Sequence, residues 1–97
     1  MNISSIPEIF QSKIRIAIIS SLITGEKNFN EIKELTSATD GNLSVHLTKL
    51  EQINYIIVRK EFIKKKPIST YTLTELGINK FREYVEMLEK ILYAASI

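Results

Sequence analysis

The segment "TDGNLSVHLTKLEQ", residues 39–52, carries side chains whose types and spacing suit the reading of an ordered polar surface. Leu43, Leu47 and Leu50 recur at four and three, the spacing of one helix face. Thr39 or Asp40 stands where a helix N-cap is favoured. The side away from the leucines holds Ser44, Val45, Thr48, Lys49 and Gln52, with Asn42 flanking it and Gly41 leaving the backbone open near the start. Such a side offers short donors and acceptors, one pair of methyl groups and an ammonium. The helix N-terminus adds free N–H groups that attract anions. These are the groups needed to read base edges in a DNA major groove, where the thymine methyl is the one apolar handle. Val45 would meet that methyl; equally, it is a lone surface apolar residue of the ordinary kind. His46 lies at the edge of the leucine seam, and two placements fit it: outward on a phosphate or base, or half-buried against a neighbouring element.

Other chemistries find no support. There is no cysteine, which excludes disulfides and thiolate chemistry. One histidine without further good ligands at suitable spacing makes no metal site, and no cofactor is implied. No nucleophile stands beside a base, and no glycine-rich loop cradles a phosphate, so no enzyme is expected.

The net charge of +2 hides an uneven distribution. Residues 1–54 and 75–97 each sum to −1, whereas residues 55–74 carry Arg59, Lys60, Lys64, Lys65 and Lys66 against Glu61 alone. A local basic patch points to an anionic partner more strongly than total charge does. Lysines there also keep an exposed hairpin from pairing with another strand edge, and both roles are compatible.

Several elements must position these residues. Residues 8–24, "EIFQSKIRIAIISSLIT" after Pro7, read as a first helix, capped by Ser4 or Ser5 and ended by Gly25. It has two apolar stripes: Phe10, Ile14, Ala17, Ile18 and Leu22 on one side, and Ile9, Ile16, Ile19 and Ile23 on the other. Two stripes fit a helix between its own core and a second body, or a central helix wrapped by its own domain. Residues 30–38 form a support helix capped by Asn30 that buries Ile32 and Leu35; "EKNF" before it leaves room for one extended pairing. The third helix spans 40–53 with Ile53 closing its seam, and Asn54 is a left-handed stop. Residues 55–73 read as a β-hairpin, "YIIVRKEFI" and "ISTYTL", with a basic tip at "KKKP". Alternation along a strand places Arg59 and Lys60 on opposite faces. Thr74 caps a last helix over 74–95, long for so small a chain, whose apolar positions include Leu88, Ile91, Leu92 and Ala95.

The expected fold is therefore mainly α with a small hairpin, in the order α-α-α-β-β-α, and 97 residues leave room for one domain, 1–97. A chain this short exposes much core-forming surface, so a second copy would help it. No apolar run approaches the roughly 18 residues of a membrane span. A secretion signal is not evident at the N-terminus, so the cytoplasm is the default.

The chain resembles winged-helix DNA-binding domains of small stand-alone regulators related to the ArsR, MarR and PadR groups. The residues that carry the likeness are "FNEIKELT", "DGNLSVHLTKLEQINYI", "KKKPISTYTLT" and "LTELGINKF". The resemblance implies a homodimeric transcription regulator of double-stranded DNA, paired through the first and last helices, which here would use Ile9, Ile16, Ile19, Ile23, Leu88, Ile91, Leu92 and Ala95. It implies that Asn42, Ser44, Val45, His46 and Lys49 face DNA with Lys64–Lys66 at the wing tip; Thr39, Thr48 and Arg59 join them as contact candidates. Asn54 stands where relatives commonly have glycine. The cysteine or histidine clusters of ArsR-type metal sensors are absent, so metal sensing is not carried over; whether a small-molecule effector binds, for example at the dimer interface, stays open. Two other functions remain: an architectural protein binding DNA with little sequence choice, and a winged helix used for protein contacts.

Overall fold

The computed structural model describes residues 6–95, apart from the side chain of Ala95. A short 3-10 turn, Glu8–Phe10, precedes α1 (Lys13–Leu22), β1 (Lys27–Asn28), α2 (Phe29–Thr36), α3 (Asp40–Gln52), β2 (Ile56–Ile63), β3 (Lys66–Leu73) and α4 (Glu75–Ala95). The strands form one antiparallel sheet in the order β1-β3-β2. Four helices and this small sheet match the fold class expected from the sequence, with β1 supplying the short extended pairing.

The first helix begins later than its apolar periodicity suggests. Ser12 adopts an extended conformation and accepts a hydrogen bond from the Arg15 N–H, so α1 starts at Lys13. Residues 8–10 are a separate 3-10 turn behind Pro7. The caps expected at Ser4 or Ser5 lie outside the described residues. Ile18 and Ile19 are both fully buried in the core, with Leu22 beside them. Ile19 therefore belongs to the domain's own interior and leaves nothing for a second copy to touch. The rest of that stripe is not closed off: Ile9 and Ile16 are half-buried and Ile23 is exposed.

The second helix is capped by Asn28 and not Asn30. The Asn28 side chain accepts from Glu31 N–H at 2.9 Å while Glu31 accepts from Asn28 N–H at 3.0 Å, a reciprocal capping box. Ile32 is buried, but Leu35 is 60% exposed on the outer side, contrary to the expected burial. Thr39 caps α3, accepting from Asn42 N–H at 3.2 Å. Leu43, Leu47 and Leu50 are buried as the seam requires. Ile53 falls just past the helix and is partly exposed, because Asn54 turns left-handed at φ 63° and redirects the chain.

The strands approach one another more closely at the tip than expected. Lys66 and Pro67 belong to β3, opposite Ile63 and Phe62 in register. Only Lys64 and Lys65 make the turn, both left-handed at φ 52° and 66°. Two such residues in succession are the geometry of a type I′ hairpin, usually given to asparagine and glycine. Pro67 is tolerated because β1 pairs with β3 only at Tyr71 and Thr70, leaving its other side without a neighbour.

The last helix is anchored at its base. Thr74 accepts from Gly77 N–H at 3.0 Å and donates to Asn54 O at 2.6 Å, so the cap also holds the turn after α3. Phe10 stacks on Tyr84 with ring centroids 4.7 Å apart and lies 6.0–6.1 Å from Phe81 and Tyr55. Beyond Tyr84, α4 runs on with Val85, Leu88, Leu92 and Tyr93 exposed, and the molecule extends 58 × 25 × 21 Å.

Gly77 is where α4 crosses the chain after α3. A Cβ there would penetrate the carbonyl oxygen of Tyr55, a backbone atom that cannot swing aside. Alanine raises helix propensity by about 1 kcal/mol over glycine, so the crowding must outweigh that gain. Gly77→Ala is expected to destabilise the protein by roughly 1–3 kcal/mol. Urea unfolding at fixed protein concentration checks it; an unchanged midpoint would mean that α4 is free to shift.

Candidate nucleic-acid interface

Two elements carry the candidate residues: α3, with its start and outer face, and the β2–β3 hairpin. The leucine seam pins α3 to the core, so its opposite side faces outward. Ser44, Val45, Thr48, Lys49 and Gln52 line one shallow, open depression there. Val45 is 66% exposed. Asn42 and Gly41 are also exposed, and apart from the adjoining backbone of α3 itself nothing lies within 4 Å of a Cβ built on Gly41. The described polypeptide leaves this flank uncovered.

The positive charge of α3 is largely balanced from within. Lys49 Nζ lies 3.1 and 3.2 Å from the two carboxylate oxygens of Glu8, in the 3-10 turn. Lys33 of α2 pairs with Asp40 at 2.8 Å, fastening the turn between the helices. The Lys49 hydrogen bond, aided by the charges of Lys49 and Arg15, holds the Glu8 carboxyl below the usual range.

Arg15 is the residue sequence reasoning missed. It sits on α1, is 5% exposed, and uses all of its nitrogens. Nε donates to Ile9 O at 2.7 Å, Nη2 to Glu8 O at 3.0 Å and to the Glu8 carboxylate at 3.2 Å. Nη1 lies 3.2 Å from His46 Nδ1. A guanidinium only donates, so Nδ1 must carry the lone pair and the His46 proton sits on Nε2. His46 is thus half-buried with one nitrogen turned inward, the second of the two placements its position allowed. Burial, then the nearby charges of Arg15 and Lys49, depress its pKa below 6.5.

That depression has a sign. The unfolded chain takes up a proton on His46 before the folded chain does. The stabilising effect is therefore complete above pH 6.5 and is lost as pH falls through the lower folded value. Because this is the chain's one histidine, His46→Gln, which keeps an acceptor for Arg15, is expected to flatten the stability profile between about pH 5 and 7. Thermal melts across that window check it; an undiminished slope in the variant would assign the titration elsewhere.

The hairpin presents the opposite electrostatic picture. Arg59 is engaged on the outer face by Glu26 at 3.1 and 3.4 Å and by Glu61 at 3.4 Å. Lys60, Lys64, Lys65 and Lys66 are exposed and have no ion pair among the described residues. The geometry thus separates a polar face of α3 with compensated charge from a hairpin with four free ammonium groups, three of them at or next to its turn.

The remaining expected surface lies elsewhere. Ile23, at the end of α1, is exposed and lines an apolar groove with Ile78, Phe81, Arg82 and Val85. Leu88 and Leu92 continue the apolar side of α4, Leu92 at 63% exposure. Ile91 is half-buried, and Ile9 and Ile16 are half-buried near α1. The Ala95 side chain lies outside the described residues. Among those residues no cluster of ligands could hold a metal ion, and no helix is long and apolar enough to cross a membrane.

The sequence model of the winged helix DNA-binding domain family matches residues 14–92. The chain is 35% identical over 79 residues to an uncharacterized protein of Methanocaldococcus jannaschii, covering 80% of this chain and 86% of that one. Among solved structures, the transcriptional regulator homologue protein from Pyrococcus horikoshii superposes with a TM-score of 0.78 over 93% of this chain and 95% of that chain, at 23% identity. YodB from B. subtilis, in a diamide-treated form, gives a TM-score of 0.75 over 84% and 80% of the two chains, at 27% identity.

Proposed function

Since the chain belongs to the winged helix DNA-binding domain family, we propose that it is a transcription regulator that binds specific sequences in double-stranded DNA as a homodimer. α3 enters the major groove, with Asn42, Ser44, Val45, Thr48 and Lys49 near base edges and Thr39 near the backbone at the helix start. The hairpin is the wing, and its lysines lie along the phosphates. The observation that carries this reading is the uncovered outer face of α3, in a chain whose hairpin also carries four exposed lysines without an ion pair among the described residues.

The apolar side of α4 supports pairing. Val85, Leu88 and Leu92 extend beyond the base of the helix, and the groove at Ile23 and Ile78 is continuous with them at Val85. A second copy of α4 is the occupant this surface fits. Two recognition helices then meet half-sites about 34 Å apart, one helical turn of DNA. Lacking cysteine, the chain has no thiol on which oxidation could act.

Selection of bound duplexes from a random pool tests the reading. An inverted repeat with half-sites separated by about 10 base pairs is expected. Val45→Ser is expected to relax a thymine preference at one position of each half-site, where a mismatch costs about 1–3 kcal/mol. Unchanged affinity and unchanged preference at every thymine would remove Val45 from the reading face. A pool without an enriched sequence, with cooperative coating, would instead make this an architectural DNA-binding protein. Failure to bind any duplex in low salt would favour a protein-contact module.

A further inference from the structure

Among the exposed apolar side chains of β2, which include Ile57 and Ile63, one stands out. Phe62 is 78% exposed, more than any other large apolar residue described. It stands one residue before the end of β2, opposite Pro67. Along β2 the side chains alternate, so Phe62 shares a face with Ile56, Val58 and Lys60. Ile56 is buried and Val58 half-buried, so this is the face packed on the helices; Lys60 and Phe62 continue it past the edge of the core. Glu61, the wing's one carboxylate, points to the other face and bonds Arg59. The face bearing Phe62 therefore combines an aromatic ring with free positive charge and no acid.

We infer that Phe62 is an aromatic wedge that enters the minor groove beside each half-site and partly unstacks a base step, bending the duplex. This rests on the reading of the chain as a duplex-binding regulator. A minor groove is walled by phosphates and floored by flat apolar rings, and both parts of the tip have a counterpart there. It is only about 6 Å wide; a hairpin closed by Lys64 and Lys65 alone brings a single ring to it without the strands having to fit. Phe, Leu and similar side chains inserted between base steps kink DNA by roughly 20–90° toward the major groove. Lysines at the tip hold the flanking phosphates while the ring enters.

The test uses the full chain and a 30-base-pair duplex selected from the random pool, with 2-aminopurine placed singly through the flanks of each half-site. Wild type is expected to raise 2-aminopurine emission at one flanking step and to bring dyes on the duplex ends closer by energy transfer. Phe62→Ala should lose both signals and bind about tenfold more weakly, within the range for loss of one base–aromatic stack, while melting where wild type melts. Phe62→Leu should restore the bend. Emission that stays flat with wild type, or rises equally with Phe62→Ala, overturns the wedge while leaving duplex binding in place. Binding of wild type but not Phe62→Ala to phosphatidylglycerol vesicles, without unstacking of DNA, also overturns it and makes the tip a lipid contact. Should wild type bind no duplex at all, the regulator reading fails and the wedge with it.

Discussion

Neutralising Lys64, Lys65 and Lys66 together is expected to weaken binding to every duplex alike, on the order of a hundredfold near 0.1 M salt. The slope of log affinity against log salt should flatten by about 2–3 units, close to 0.9 for each phosphate that no longer meets an ammonium. The reasoning is one of availability. Arg59 is already committed to Glu26 and Glu61, and Lys49 to Glu8. The three tip lysines have no such partner, so each can condense on a phosphate without giving up another ion pair. Lysine acts here as a mobile point charge and carries no sequence information. Alanine at two left-handed positions would weaken the turn as well as remove charge. Lys64→Asn with Lys65→Gly and Lys66→Gln separates the two effects, since asparagine and glycine suit the turn better than the native pair. Anisotropy titrations on two unrelated duplexes over a salt series check the result; a loss confined to one sequence would contradict it.

Arg15→Leu is expected to cost about 3 kcal/mol, a fall in Tm on the order of 15 °C for a chain of this size. The guanidinium supplies donors to two backbone carbonyls, a carboxylate and an imidazole nitrogen within one buried site. Leucine fills part of the volume and leaves the Ile9 and Glu8 carbonyls without that donor. Arg15→Lys should recover little, because one ammonium cannot reach acceptors spread around a planar fork. Melts at matched protein concentration distinguish the cases. If lysine proved as good as arginine, the charge and not the fork would be what matters. The same variant should release His46 from its fixed tautomer, so its imidazole NMR signals are a second readout.

The regular elements were legible because local periodicity carries them. Leu43, Leu47 and Leu50 report the seam of α3 directly, and the alternation of residues 68–73 reports β3. Boundaries were less legible where two signals compete. Ser12 is a good cap, but the apolar pattern continues across it and masks the break. Asn28 with Glu31 is a visible capping box, and Asn30, two residues on, drew the cap instead. The burial of Ile19 and Arg15 is not local information at all. Two isoleucine stripes look the same whether a sheet or a second subunit covers the outer one. An arginine within a helix is ordinarily exposed, and only the arrival of the Glu8 and Ile9 carbonyls, seven and six residues away, makes burial tolerable. In the candidate interface, the reading face followed from the seam by opposition, whereas the pairing of Lys49 with Glu8 spans 41 residues and had no signature in sequence.

That pairing bears on how α3 would trade ions with a nucleic acid. On the proposed reading, a phosphate approaching Lys49 must evict the Glu8 carboxylate, so that contact gives up an existing ion pair and adds less to affinity than one made by a lysine of the hairpin turn. The displaced carboxylate would stay tethered nearby through the Glu8 backbone that Arg15 holds, and would compete with the phosphate for the ammonium.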